Sequence, residues 1–177
     1  MEFISHEGCD PNAIEALFRE AFALNEGEEE GALIGHLARE MMNTEADDLY
    51  GFVAREGATL LGAIFFSRMH FGDDVEVFIL SPVAVAPSHH GEGVGQALIR
   101  HGIDELKSAG VEYLITYGDP NFYSRVGFEP ITQEEFPPPY PLGQPHGWIG
   151  QSLADAPIHS LTGPSHCVPA LSDPGYW

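Results

Sequence analysis

Three alternating glycines separate an apolar segment from an amphipathic one in the stretch Val83–Ile99. This pattern predicts a strand that ends near Val85, a loop from His90 to Gly95, and a helix that begins at about Gly93. Glycines let backbone N–H groups turn toward a bound anion without obstruction by a Cβ atom. The start of a helix adds unpaired N–H donors and the positive end of a dipole. The loop therefore predicts a pyrophosphate-binding site built mainly from backbone groups.

Two other phosphate-binding motifs do not fit this loop. A dinucleotide fingerprint requires a third glycine near Leu98, and neither Leu98 nor its neighbours supply one. The nucleotide-triphosphate loop requires Gly-Lys followed by Ser or Thr, a combination that this sequence lacks. A glycine-rich turn between strand and helix that binds nothing stays open as the structural alternative.

A second segment, Gly118–Phe128, follows after one predicted helix and one predicted strand. It carries the pair Phe122-Tyr123 and, after three residues, Gly127-Phe128. The two segments together resemble the GNAT superfamily of acyltransferases. The first matches that family's pattern Gln/Arg-x-x-Gly-x-Gly/Ala at Gly93 and Gly95, with His90 where Gln or Arg is usual. The second matches Phe-Tyr-x-x-x-Gly-Phe, in a form typical of small bacterial N-acetyltransferases.

The resemblance implies an α/β (α+β) fold and a cosubstrate. A mixed central sheet of about six to seven strands would be flanked by helices, and two central strands would splay apart to hold acetyl-CoA. The pantetheine arm would pair with the backbone of the strand ending at Val85, and the pyrophosphate would lie on the glycine loop. The residues expected at the cofactor are Val83, Ala84, Val85, His90, Gly91, Glu92, Gly93, Val94, Gly95, Gln96 and Asn121.

The resemblance also implies the transfer of an acetyl group to a primary amine by direct attack. A backbone N–H near Val85 would stabilise the oxyanion, and Tyr123 would protonate the thiolate that leaves. Glu76 is the candidate base, with His70, Asp73 and Asp74 as alternatives on the adjoining turn. A packed aromatic ring at Tyr123 and an outward-facing carboxylate at Glu76 are the structural alternatives. The alternative function is that of a non-catalytic acyl-CoA-binding or toxin-neutralising module on the same fold.

Periodicity and turn residues place the remaining elements. Asp10-Pro11 should open a first helix, residues 25–31 should form an acidic loop, and Gly110 should end the helix that follows the glycine loop. Pro82 implies a bulge or an edge in its strand, because proline cannot donate to a sheet ladder. The predicted strands are Phe3–His6, Tyr50–Arg55, Thr59–Met69, Val75–Val85, Val111–Tyr117, Trp148–Leu153 and Ser165–Leu171, and the further helices cover residues 33–42, 93–109 and 121–125.

The chain of 177 residues fits one domain. We expect a core over residues 1–130, followed at 131–177 by a proline-rich connector and final strands that could not form a core alone.

Composition bounds the partners. The formal net charge is −20, from 27 acidic and 7 basic residues, which opposes binding to nucleic acid or to anionic lipid. The same field attracts cationic amines, although an acidic shell that serves solubility is the commoner explanation. Cys9 and Cys167 are too few for a disulfide framework and lack metal-site spacing. We expect a cytoplasmic protein without a metal, and the sequence leaves a monomer and a homodimer both open.

Overall fold

The computed structural model describes all residues, 1–177. Its strands and α-helices follow one another in the chain with short 3₁₀ turns between several of them. In chain order they are β1 (Glu2–Ser5), α1 (Pro11–Glu26), α2 (Glu28–Met42), β2 (Leu49–Glu56), β3 (Thr59–Met69), β4 (Val77–Val85), α3 (Val94–Ser108), β5 (Tyr113–Tyr117), α4 (Pro120–Tyr123), β6 (Glu129–Pro130) and β7 (Trp148–Ser152).

The strands form one mixed sheet of seven strands in the order β1-β2-β3-β4-β5-β7-β6. Strand β1 is antiparallel to β2, and β7 is antiparallel to both β5 and β6. Strands β4 and β5 are parallel, in a register that runs from Val77 opposite Tyr113 to Leu80 opposite Thr116. The mixed sheet flanked by helices confirms the fold class that the sequence predicts. None of the helices is long and apolar enough to cross a membrane.

The chain divides into two compact units, and the first comprises residues 1–66 and 82–103. Within it, α1 packs against α2, and the close approach depends on Gly31, where a Cβ atom would lie 2.6 Å from the backbone oxygen of Arg19. The Nε of Arg39 donates to Glu15 at 2.6 Å and joins the two helices. Phe18 of α1 stacks on Phe65 of β3 with ring centroids 5.8 Å apart, so these helices and the strand share one apolar core.

The second unit comprises residues 67–81 and 104–177. Tyr113 of β5 stacks on Phe136 at a centroid distance of 4.5 Å. Trp148 is fully buried, and its Nε1 donates to the backbone oxygen of Phe136 at 2.9 Å. Trp177 lies in a cluster of rings with Tyr117, Tyr140 and Trp148. The proline-rich segment and the residues after it are therefore packed against β5 and β7 in this unit.

The structure corrects the acidic loop predicted at residues 25–31. Helix α1 continues to Glu26, Gly27 makes the connection with a φ of +98°, and α2 begins at Glu28. Three consecutive glutamates, Glu28 to Glu30, occupy the first turn of α2, where carboxylates interact favourably with the helix dipole. Charge density predicts a loop here, whereas the electrostatics of a helix start explain why the acids are helical.

One predicted strand is also wrong, and of the bulge or edge predicted at Pro82 the edge is excluded. The region predicted as a strand at Ser165–Leu171 contains an isolated bridge between His166 and His70 and a 3₁₀ turn at Pro169–Leu171. Pro82 does not lie on an edge strand, because β4 is between β3 and β5 in the sheet order. The register pairs of β4 with β5 end at Leu80, two residues earlier, so the missing N–H of Pro82 interrupts none of those pairs.

Candidate active site

The glycine loop connects β4 to α3 through a tight turn. Gly91 and Gly93 have φ angles of +79° and +78°, a conformation that residues with a Cβ rarely adopt. No heavy atom lies within 4 Å of the position a Cβ would occupy at either residue, so both face open space. Both are exposed, whereas Val94, the first residue of α3, is buried and anchors the helix start. The local backbone therefore turns toward solvent at the two positions where the sequence predicts contact with phosphate.

Side chains within the loop region make contacts that the sequence does not reveal. The Nε2 of His90 lies 2.9 Å from the backbone oxygen of Val85 and donates to it. The Nδ1 of His89 lies 2.8 Å from a carboxylate oxygen of Glu92. His90 thus ties the loop to the end of β4, and Glu92 holds the 3₁₀ turn that precedes the loop. The structure brings the expected cofactor residues of β4 and of the loop together in the first unit.

Part of the backbone at the end of β4 is hydrogen-bonded to the neighbouring strand. The N–H of Ala86 donates to the backbone oxygen of Leu61 at 2.8 Å, which holds the end of β4 against β3. Ala84 is buried, while Val83 and Val85 are half-buried on the other face of the strand. Gly62 allows the close approach of β3, because a Cβ there would lie 3.0 Å from the backbone oxygen of Ala84.

Tyr123 is the last residue of α4, a single helical turn in the second unit. Asp119 caps this turn by accepting from the N–H of Asn121 at 2.9 Å, and Pro120 occupies the first helical position. The ring of Tyr123 is held edge-on by Phe122 and Phe128, at centroid distances of 5.0 and 5.6 Å. These contacts fix the orientation of the ring.

Tyr123 is half-buried. Burial raises the pKa of Tyr123 to about 12, a hydrogen bond with Thr116 opposes this, and the charge of Asp119 adds to it. The hydroxyl of Thr116 itself donates to the backbone oxygen of Leu80 at 2.8 Å.

Glu76 lies one residue before β4 and not within it, which corrects its predicted place on the strand. Its carboxylate pairs with the guanidinium of Arg68, and its side chain is 51% exposed. The N–H of Glu76 donates to a carboxylate oxygen of Glu112 at 2.9 Å. Glu76 is thus an exposed carboxylate in an ion pair, and nothing in its surroundings marks it as a base.

The alternatives to Glu76 also have structural partners. Asp73 accepts from the N–H of Thr162, and the N–H and C=O of His70 both bond to the backbone of His166. Asp74 is exposed. Within the described residues 1–177, no group of three or more His, Cys, Asp or Glu side chains is placed to hold a metal ion.

The sequence of residues 11–128 matches the model of the acetyltransferase (GNAT) family. The chain belongs to the GNAT family. The matched range ends at Phe128, the last residue of the second segment that carries the resemblance.

Two relatives are similar to this chain in sequence, and two solved structures share its fold. The chain is 37% identical over 122 residues to the uncharacterized N-acetyltransferase YjhQ of Escherichia coli K12, covering 66% of this chain and 67% of YjhQ. It is 30% identical over 156 residues to the uncharacterized N-acetyltransferase YhbS of the same strain, covering 87% and 88%. A crystal structure of E. coli YhbS in complex with CoA matches with a TM-score of 0.80 at 24% identity, over 97% of this chain and 92% of that one. A GNAT acetyltransferase from Brucella melitensis in complex with acetyl-CoA matches with a TM-score of 0.71 at 24% identity, over 97% of each chain.

Sequence reasoning missed two features of this region. Thr116 lies in an apolar strand, and its neighbours Leu114 and Ile115 are buried like it, so nothing in the pattern singles it out. The second feature is a cavity at the end of β5 that is partly lined by the last residues of the chain. This cavity forms because the C-terminal segment lies beside the end of β5. Local periodicity does not reveal which distant segments lie side by side.

Proposed function

We propose that this protein is an N-acetyltransferase that moves the acetyl group of acetyl-CoA to a primary amine by direct attack. The observation that carries the proposal is the pair of positive φ angles at Gly91 and Gly93, in a loop between β4 and α3 of a GNAT-family chain. A loop whose glycines face open space leaves room for a phosphate at the backbone. Acetyl-CoA carries the pyrophosphate that such a loop binds.

The residues proposed to hold the cosubstrate belong to the end of β4, the glycine loop and α4. In the first unit, the backbone of Val83–Val85 would pair with the pantetheine arm, and residues 90–96 would hold the pyrophosphate. In the second unit, Asn121 is exposed in the first turn of α4, where its side-chain amide is a candidate partner for the pantetheine arm. His90 contributes by holding the loop to the backbone oxygen of Val85.

The reaction balances without a redox partner. The neutral amine nitrogen attacks the thioester carbonyl carbon, and the C=O bond becomes an oxyanion that a backbone N–H near Val85 would stabilise. Collapse of this intermediate re-forms the C=O bond and breaks the C–S bond, so that the electron pair leaves on sulfur. The nitrogen loses a proton to water or to a base, and the thiolate gains one.

Tyr123 is our proposed donor of the proton to the thiolate. Its burial keeps the phenol protonated well above neutral pH, since the pKa is raised to about 12. A CoA thiol has a pKa far below that value, so protonation by Tyr123 is uphill at equilibrium and is driven by re-protonation of Tyr123 from solvent.

The direct test is turnover of acetyl-CoA with a panel of amines, followed by release of the CoA thiol. We expect thiol release that depends on both acetyl-CoA and an amine, together with a matching yield of acetylated amine. The non-catalytic alternative predicts that acetyl-CoA binds, seen as an increase in melting temperature, without amine-dependent thiol release. Absence of both binding and turnover would refute either form of the proposal.

The acceptor is proposed to be a small molecule or a flexible peptide terminus that carries a positive charge. The net charge of −20 creates a long-range field that attracts cations and repels nucleic acid and anionic membranes. Electrostatic attraction of this kind weakens with salt, because the Debye length falls from ~10 Å at 0.1 M to ~3 Å at 1 M. A kcat/KM for cationic acceptors that is unaffected by salt would contradict this part of the proposal.

A further inference from the structure

A cavity of about 800 Å³ lies within the second unit, at the carboxyl end of β5. Three segments line it: residues 117–121, which lead from β5 into α4, residues 143–147, and the end of the chain at 175–177. Its volume is in the range of sites that bind small molecules, ~300–1,000 Å³.

Aromatic rings form much of the cavity wall, and hydrogen bonds hold them in place. Tyr117 and Trp177 stack with ring centroids 6.4 Å apart and an interplanar angle of 17°. The hydroxyl of Tyr117 accepts from the N–H of Gln144 at 2.6 Å, and the Nε1 of Trp177 donates to the backbone oxygen of Leu171 at 3.0 Å. Tyr176 adds a third ring to the lining. Aromatic rings that are fixed in this way give the cavity a wall that can contact a cation.

Besides the tyrosines, the ionisable side chains that line the cavity are one carboxylate and one imidazole, that of His146. Asp119 is the carboxylate side chain that lines the cavity, and no Lys or Arg lines it. Asp119 is exposed, and its Oδ1 accepts from the N–H of Asn121. A carboxylate beside aromatic rings is a combination that binds ammonium groups by charge-assisted hydrogen bonds and by cation–π attraction.

The cavity adjoins the residue proposed as the acid. Gly118 lines the cavity, and a Cβ atom at Gly118 would lie 2.6 Å from the Cε2 of Tyr123. The ring of Tyr123 therefore packs directly on a residue of the cavity wall. Pro120 and Asn121, in the same helical turn as Tyr123, also belong to the lining.

We propose that this cavity is the acceptor site and that it selects an elongated chain that carries an ammonium group. Asp119 would hold an ammonium group of the acceptor while the rings of Tyr117, Tyr176 and Trp177 cover its chain. This inference rests on the proposed function, because only acetyl transfer makes the bound cation an acceptor. Binding of the cation itself does not require turnover.

The test is calorimetric titration of the full chain with spermidine and, as a neutral chain of the same length, with 1,8-octanediol. We expect spermidine to bind and the diol not to bind. Asp119→Asn should weaken spermidine binding by about ten-fold or more, because a hydrogen bond to a charged group is lost. Asparagine is as good a helix cap as aspartate, so α4 should persist. The matched control is Asp10→Asn, which changes the same charge at the same kind of cap, with Pro11 following and an Oδ1 that accepts from Asn12 at 2.9 Å.

A second variant, Trp177→Leu, tests the aromatic wall without changing charge. It should also weaken spermidine binding, with the fold checked by circular dichroism and melting temperature. Equal spermidine affinity in the wild type and in a folded Asp119→Asn variant would overturn the inference, as would no binding at all. Competition between CoA and spermidine would also overturn it, because the cavity would then belong to the cosubstrate. Intact spermidine binding without thiol release from acetyl-CoA would instead count against acetyl transfer and leave the cation site standing.

Discussion

The Oγ1 of Thr116 lies 2.8 Å from the backbone oxygen of Leu80, its partner in the parallel pairing of β4 and β5. The same Oγ1 takes part in a hydrogen bond with the hydroxyl of Tyr123. Thr116 is buried, with 1% of its surface exposed, so water does not substitute readily for these contacts. The last register pair between the two strands therefore also positions the hydroxyl proposed to protonate the leaving thiolate.

Thr116→Val should lower kcat by about five-fold, the factor that corresponds to ~1 kcal/mol for one hydrogen bond. Valine keeps the size and the branching of the side chain but cannot position the Tyr123 hydroxyl. Steady-state kinetics with acetyl-CoA and an active amine would measure the change, with acetyl-CoA affinity expected to stay within about two-fold of the wild type.

Thr116→Ser is the matched control, because it retains the hydroxyl. It should recover most of the kcat that Thr116→Val loses, although it removes a buried methyl group and costs about 1 kcal/mol of stability. If both variants lost kcat to the same extent, Thr116 would have a packing role only.

Tyr123→Phe should lower kcat by ~10²–10⁴-fold with little change in acetyl-CoA affinity. The substitution keeps the ring that packs against Gly118, Phe122 and Phe128 and removes the proton donor. Single-turnover kinetics would show whether the loss is in the chemical step. Turnover equal to that of the wild type would show that Tyr123 is structural or that solvent protonates the thiolate.

Alkaline pH should reduce stability partly through Tyr123. Burial raises its pKa to about 12 in the folded protein, against ~10 when unfolded. Between these two values the unfolded chain has released the proton and the folded chain has not, so the free energy of unfolding falls as pH rises. From about pH 9 to about pH 11.5 the melting temperature should therefore fall less in Tyr123→Phe than in the wild type. Parallel curves for the two proteins would show that the hydroxyl is not desolvated.

Much of the fold follows from local sequence signals. Strand β3 begins and ends at the predicted residues Thr59 and Met69, and Gly110 follows α3 with a φ of +89°. These boundaries are fixed by alternation, by turn residues and by the need for a positive φ, all of which act within a few residues. The segment after Phe128 is harder to predict, because its structure depends on contacts between residues far apart in the chain. The bridge between His70 and His166, for example, joins residues about a hundred positions apart, and the packing of Trp177 is also non-local.

The candidate site divides in the same way. The positive φ angles of the glycine loop are predictable because only glycine adopts them without strain. The contact between Tyr123 and Thr116 is not, since it requires the relative placement of α4 and β5. Glu76 shows most clearly what a sequence does not reveal. Its distance along the chain from Val85 can be counted, but its pairing with Arg68 depends on how the end of β3 lies beside the residue that precedes β4.

Gly93→Asp should abolish most of the increase in melting temperature that acetyl-CoA causes, and Gly93→Asn is its matched control. Both residues tolerate a positive φ to a similar degree, and no heavy atom of the protein lies within 4 Å of the Cβ that either would carry. They differ in charge, so the aspartate should weaken acetyl-CoA binding by at least about ten-fold relative to the asparagine through repulsion of the phosphates. Similar acetyl-CoA-induced shifts in the two variants would place the pyrophosphate elsewhere.

Glu76→Gln should leave kcat within about two-fold of the wild type, because an exposed ion pair contributes only ~0–1 kcal/mol and glutamine still accepts a hydrogen bond from Arg68. Glu129→Gln, which removes an exposed carboxylate from β6, is the control for a change of net charge. A base that removes the proton of the amine would instead be revealed by a loss of ~10²-fold or more in kcat, with an altered dependence on pH. Measuring kcat against pH for both variants decides the matter. A large loss of kcat confined to Glu76→Gln would restore the role of base that the sequence predicts for this glutamate. If kcat is not lost, the neutral amine arises by loss of its proton to water, either before or after the acceptor binds.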